Sequence, residues 1–212
     1  MFKHQQKISA IDGGEVSTAR LETLTDGIFA IAMTILVLDI HVPDLIAGAT
    51  SQDLFYQLAL LWPRILSFIV SFIILGMFWV GHHTEFRYIK KLDHKLIWLN
   101  MFYLLFVSFL PFSAGLMGRY PNNEAAIIVY GAHLIILVLI HFFLWQHASK
   151  HANLVADDLD PRINKLADRL AYVAVVAYAA AIVLSFWSPI FSLIIYALVP
   201  IPYIFGWIYF IA

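Results

Sequence analysis

The 212-residue chain contains no cysteine, so disulfides, iron–sulfur clusters and thiolate metal sites are excluded. Charge is also scarce: only 13% of the residues are charged, against roughly 25% in a soluble domain. The net charge is −1 and no long basic run occurs, which argues against a nucleic-acid partner. The polar stretch 1–20 lacks the short apolar core of a secretory signal peptide. What the chain has in excess is hydrophobic residues, at 62%, where soluble domains carry roughly 45–50%. A single core of this size cannot hide such a surplus, because a small domain still exposes a large surface. The composition predicts an integral membrane protein.

A hydrocarbon core of about 30 Å needs about 20 mostly apolar residues per crossing helix. Six stretches qualify, at 24–40, 61–81, 96–117, 125–145, 170–187 and 190–212. Pro189 separates the last two, since a helix interior rarely tolerates proline. The short turn there predicts an antiparallel hairpin. The apolar runs are continuous and do not alternate, which disfavours a β-barrel. The reading is one all-α transmembrane domain over 1–212, with a short cytoplasmic N-terminus at 1–19.

Lysine and arginine positions orient the spans. Lys3, Lys7 and Arg20 precede the first; Arg87, Lys90, Lys91 and Lys95 fall between the second and third; Lys150, Arg162, Lys165 and Arg169 fall between the fourth and fifth. Eleven of the thirteen basic residues therefore share one side, and both termini are expected in the cytoplasm of a cell membrane. The opposite connection, 41–57, holds Asp44 and Asp53 and no basic residue. The longest polar segment, 146–168, contains Asp157, Asp158 and Asp160 and reads as a solvated connection. Asp160 before Pro161 marks a turn or a helix entry.

Ionisable groups inside a span are costly, so each is a functional candidate. At 100° per residue, Gly27, Ile31, Thr34, Ile35 and Leu38 line one aliphatic stripe of the first span. Asp26 points away from that stripe, toward neighbouring helices, and needs a partner that Arg20 or a histidine of span two could supply. His82 and His83 end span two, and Trp98 and Asn100 begin span three, at the depth of Asp26. Arg20, Thr25, Asp26, Trp79, His82, His83, Trp98 and Asn100 thus form a polar and aromatic layer. It reads either as a network that holds the helices together or as a site of direct chemistry. Trp79 and Trp98 can also act as interfacial anchors.

His133, His141, His147 and His151 invite a haem or metal reading. His133 and His141 are about 12 Å apart along one helix, at a rise of about 1.5 Å per residue, so they cannot ligate one haem together. Histidines satisfied between packed helices explain them better. No Ser–His–Asp order, phosphate loop or HExxH motif occurs, and the chain is not expected to be an enzyme or to carry a cofactor.

The residues of span one resemble a known family. Arg20-x-x-x-Leu24-Thr25-Asp26, then Ala30-Ile31-x-x-Thr34, is similar to the signature of the transmembrane-protein-175 potassium channels, which carry Arg-x-x-x-Phe-Ser-Asp. The resemblance continues through Phe78-Trp79-x-x-His82-His83, Trp98-Leu99-Asn100 and Phe106-Val107-Ser108-Phe109-Leu110-Pro111-Phe112. Leu24 replaces the family's Phe, and Thr25 replaces its Ser while keeping the hydroxyl. The TVGYG filter of tetrameric potassium channels is absent.

The resemblance implies six helices per chain and a homotetramer in the bilayer, with the first helix lining a central potassium pore. It implies that Ile31 forms the main constriction, with Ile35 and Leu38 as further aliphatic rings and Thr34 as a selectivity candidate. It also implies that Arg20, Thr25 and Asp26 form a network behind the pore helix. Asp39 is a candidate for attracting cations at the outer mouth, or a solvated charge at a helix end. The alternatives are a haem or quinone membrane oxidoreductase, for the nine histidines, and a proton-coupled carrier, for Asp26 and the histidines near it.

Overall fold

A computed structural model describes residues 17–156 and 159–203. The segment 1–16, with Lys3 and Lys7, lies outside the described residues, as do Asp157, Asp158 and the end of the expected sixth span. Seven α-helices are present among the described residues: α1 (Thr18–Ile35), α2 (Ser51–Leu60), α3 (Trp62–Tyr88), α4 (His94–Arg119), α5 (Glu124–Gln146), α6 (Pro161–Ser185) and α7 (Pro189–Leu198). A 3-10 turn, Leu36–Asp39, ends α1, and a π-helical turn, His147–His151, follows α5.

Local chemistry sets most helix starts. The side chains of Ser17, Asp93, Asn123 and Asp160 accept backbone N–H groups that the first turns of α1, α4, α5 and α6 leave unpaired. Pro161 and Pro189 sit at helix starts, where the missing N–H costs nothing. Asp160 therefore marks a helix entry.

Five helices are long and apolar enough to cross a membrane, counting α1 with its 3-10 turn and α5 with its π turn. The sixth expected span begins as α7, and an apolar helix continues to Tyr203. Three boundaries differ from the sequence reading. The connection expected over 41–57 contains α2, opened by a capping box in which Thr50 and Asp53 exchange hydrogen bonds. Helix α3 runs seven residues past the expected end at Gly81, because its polar residues find partners inside the bundle. The connection 146–168 is packed rather than merely solvated: Ala148 and Leu154 are buried, and Lys150 pairs with Asp168 at 2.7 Å.

Helix α4 occupies the centre, against α1, α3 and α5, while α5 carries α6 and α7 on its other side. The main core joins Phe29, Ile74, Tyr103, Val107, Tyr130 and Tyr178. At Gly131 there is no room for a side chain, because the Tyr196 hydroxyl and Ile182 occupy the space a Cβ would need. Pro111 lies inside α4 and cannot donate to the carbonyl four residues back. The chain nearby is braced by His133, whose ring nitrogens bond the Phe106 carbonyl at 2.9 Å and Ser113 at 2.7 Å.

The segments that flank α3 and α5 are clipped together. Lys90 N–H donates to the Leu154 carbonyl at 2.8 Å, and Ala156 N–H donates to the Tyr88 carbonyl at 2.9 Å. Ile89 and Val155 form the antiparallel bridge between them. A second, smaller core lies under this clip and includes Leu21, Phe86, Leu96 and Trp145.

Candidate functional site

Helix α1 has two unlike faces. Leu21, Thr25, Phe29 and Ala32, with Leu36 of the 3-10 turn, are buried against α3 and α4. Their spacing of four, four, three and four traces one side of an α-helix. On the other side the chain leaves Ile31, Ile35 and Leu38 uncovered, with 59%, 44% and 67% of their surface exposed. Gly27 and Thr34 are exposed as well. The Thr34 hydroxyl donates back into its own helix, within 2.9 Å of the carbonyls of Ala30 and Ile31. Leu38 and Asp39 belong to the 3-10 turn. The Asp39 carboxyl is half-buried and lies against Gly115 of α4, where a Cβ would stand 3.2 Å away.

Behind α1 the structure brings together two short chains of hydrogen bonds. Buried Asn100 donates from its amide nitrogen to the Thr25 hydroxyl at 3.2 Å, and its carbonyl oxygen bonds His82 at 2.9 Å. That bond requires the proton on His82 Nε2, since an amide oxygen only accepts. Separately, the Trp79 indole N–H donates to Asp26 at 2.8 Å, and the Trp79 ring stacks on His83 at 5.6 Å. The Thr25 hydroxyl thus makes the interhelical bond that a Ser would make.

Two members of the expected layer stand apart. Arg20 is exposed and has no side-chain hydrogen bond or ion pair among the described residues, so it does not pair with Asp26. Six residues of helix place the two about 120° apart around the axis and about 9 Å along it. Among the described residues no histidine pairs with Asp26 either; Trp79 fills that role. Trp98 donates instead to His94, at 2.9 Å on its own helix.

The sequence reading missed a buried acid. Glu85 of α3 is 6% exposed and accepts from or pairs with His141 Nε2 of α5 at 2.8 Å. The two histidines share a ring stack with Tyr103, which lies 5.7 Å from His82 and 5.1 Å from His141. The available signal was helical spacing: Glu85 follows His82 by three residues and therefore lies on the same face of α3.

The other histidines are also engaged. His133 braces α4, and His147 bonds Asp93 at 2.7 Å. Burial works against the Asp93 charge. The Leu96 N–H, His147 and Lys95 outweigh it and hold that carboxyl below its ordinary range. Among the described residues no three His, Asp or Glu side chains gather as a metal site.

Comparison with known proteins places the chain among relatives. Residues 20–111 match the family described as endosomal/lysosomal potassium channel TMEM175. A potassium channel of Chamaesiphon minutus is 36% identical over 68% of this chain and 71% of its own length. A potassium channel of Streptomyces collinus is 32% identical over 72% of each chain. The human endosomal/lysosomal proton channel TMEM175 is 30% identical over 76% of this chain but only 33% of its own. The crystal structure of a potassium-selective TMEM175 homologue from Chamaesiphon minutus superposes with a TM-score of 0.77 at 29% identity. It covers 89% of this chain and 97% of that one. These relatives are ion channels rather than enzymes, which sets the oxidoreductase reading aside. The chain belongs to the TMEM175 family.

Proposed function

We propose that this chain is one subunit of a potassium-permeable channel in which four copies of α1 surround a central pore. The observation that carries the reading is the row Ile31, Ile35 and Leu38, uncovered on a helix whose opposite face is packed. The potassium-channel relatives support the choice of ion. Around a fourfold axis the row becomes three stacked aliphatic rings. An ion cannot shed its water cheaply against such groups, so a narrow ring closes the path by dewetting. A small outward movement or rotation of α1 wets the ring and opens it.

Thr34 lies between Ile31 and Ile35 and offers hydroxyl oxygens to a partly hydrated ion. Discrimination between potassium and sodium is moderate in this scheme, because no cage of carbonyl oxygens replaces the hydration shell. Asp39 contributes negative potential near the outer end from its seat against Gly115. The excess of Lys and Arg on one side supports termini in the cytoplasm.

The test is potassium flux from loaded vesicles containing the purified chain. Replacing Ile31 by Asn is expected to raise basal flux by about tenfold, a barrier change of about 1.4 kcal/mol. An unchanged flux removes Ile31 from the constriction. The human relative is called a proton channel, which favours proton passage as a second activity. A pH-sensitive dye in the same vesicles measures it.

A further inference from the structure

We propose that the cavity lined by α3, α5, α6 and Tyr203 is a binding site for a small organic ammonium ion. It lies away from the exposed face of α1, within one subunit, and its walls include Phe78, Glu85, His141, Phe142, Trp145 and Tyr203. Its volume is about 50 Å³. One water needs about 10–15 Å³ by this measure, so the space takes about four water-sized groups.

The polar atoms define the guest. Glu85 Oε2 bonds His141, while Oε1 has no hydrogen bond among the described residues. The Trp145 indole N–H is buried and has no partner among the described residues either. The site therefore holds a carboxylate oxygen without a donor, between aromatic walls. An anion is repelled by Glu85. A bare inorganic cation requires several oxygen ligands, and this lining supplies one carboxylate. An ammonium group on a short carbon chain meets all the conditions. Its N–H donates to Oε1, and its positive charge and methylenes lie against the rings. Ethanolammonium, with four non-hydrogen atoms, has this chemistry. The ammonium end of phosphatidylethanolamine shares the cationic two-carbon chain, with a phosphate ester oxygen outside the site in place of the hydroxyl, so the guest can come from solution or from the bilayer.

Occupancy is sensed at α1 through side chains already in contact. His141 stacks on Tyr103, Tyr103 stacks on His82, and His82 bonds Asn100, which bonds Thr25. An effect on conduction rests on the proposed function; binding itself does not.

The experiment uses the full chain in nanodiscs of phosphatidylcholine and phosphatidylglycerol, titrated with ethanolammonium chloride in a calorimeter. Saturable binding is expected. E85Q should weaken it about tenfold or more, through loss of a charge-assisted bond. W145F, which keeps an apolar ring, should weaken it by a smaller factor. A second set of nanodiscs contains phosphatidylethanolamine. If the headgroup is the guest, native mass spectrometry finds that lipid retained by the wild type and lost from E85Q. W145F serves as the reporter should E85Q fail to fold. Absence of saturable binding and of retained lipid overturns the proposal, as does equal binding by wild type and W145F together with any folded E85Q. Missing potassium flux in a protein that binds the amine would defeat the channel reading and leave this one standing.

Discussion

The two faces of α1 obey different rules. The face with Thr25, Phe29 and Ala32 is satisfied within the chain: its hydroxyl is bonded by Asn100, and its ring packs on Tyr103 at 6.0 Å. The face with Ile31, Ile35 and Leu38 is equally apolar, yet it stays largely exposed among the described residues. Hydrophobicity alone therefore does not separate buried from uncovered positions on this helix. What separates them is whether the neighbouring helices of the same subunit have reserved space for the side chain.

Alanine at one position on each face breaks this comparison most directly. Phe29→Ala should destabilise the folded subunit by about 3–5 kcal/mol, the usual cost of removing a buried aromatic ring. Ile31→Ala should leave the stability of a detergent-solubilised single subunit within about 0.5 kcal/mol of wild type. Thermal unfolding followed by near-ultraviolet circular dichroism compares the two, and equal losses would abolish the distinction.

The next effect comes from the centre of the network. Asn100→Leu leaves the Thr25 hydroxyl and the His82 ring unpaired in the interior, at about 1–3 kcal/mol for each group. The two costs together, about 2–6 kcal/mol, should place it beside Phe29→Ala and well above Ile31→Ala in the same unfolding measurement. A double variant with Thr25→Val should lose less than the sum of the two single losses.

A smaller loss, about 0.5–1.5 kcal/mol, is expected for Asp26→Ala, which removes one bond at the seam of α1 and α3. Trp79→Phe should reproduce that bond's loss, whereas Arg20→Ala should not. The extent of crosslinking between copies, measured beside stability, tells whether Asp26 serves the subunit or the proposed fourfold assembly.

The smallest effect is a pH dependence at the far end of the bundle. The folded Asp93 carboxyl sits below its ordinary value of 3.8. It therefore contributes stability above that value and loses it as the pH falls through the folded one. The stability difference between wild type and Asp93→Asn should shrink as the pH drops below 3.8.

Much of this architecture is legible in the sequence because lipid imposes it. A crossing helix must be about 20 residues long and apolar, so α1, α3, α4, α5 and α6 announce themselves. The short α2 does not, since ten residues cannot span a bilayer; its local mark is the Thr50–Asp53 capping box. The positions of Thr25 and Asn100 follow from matching depths on adjacent spans. Asp26 finding Trp79 rather than Arg20 does not, because an indole N–H is a donor that charge patterning overlooks. Glu85 stayed hidden for a related reason. Its partner, His141, is 56 residues away on a helix whose rotation only the folded bundle determines.

The clip between residues 88–91 and 154–156 has a consequence for how this protein can be probed. It is written in main-chain amides and carbonyls, so trimming a side chain removes none of its hydrogen bonds directly. Only a residue that lacks the amide hydrogen, at Lys90 or Ala156, can unfasten it. Until that is done, the end of α3 and the approach to α6 stay tied by main-chain hydrogen bonds rather than by side-chain packing alone.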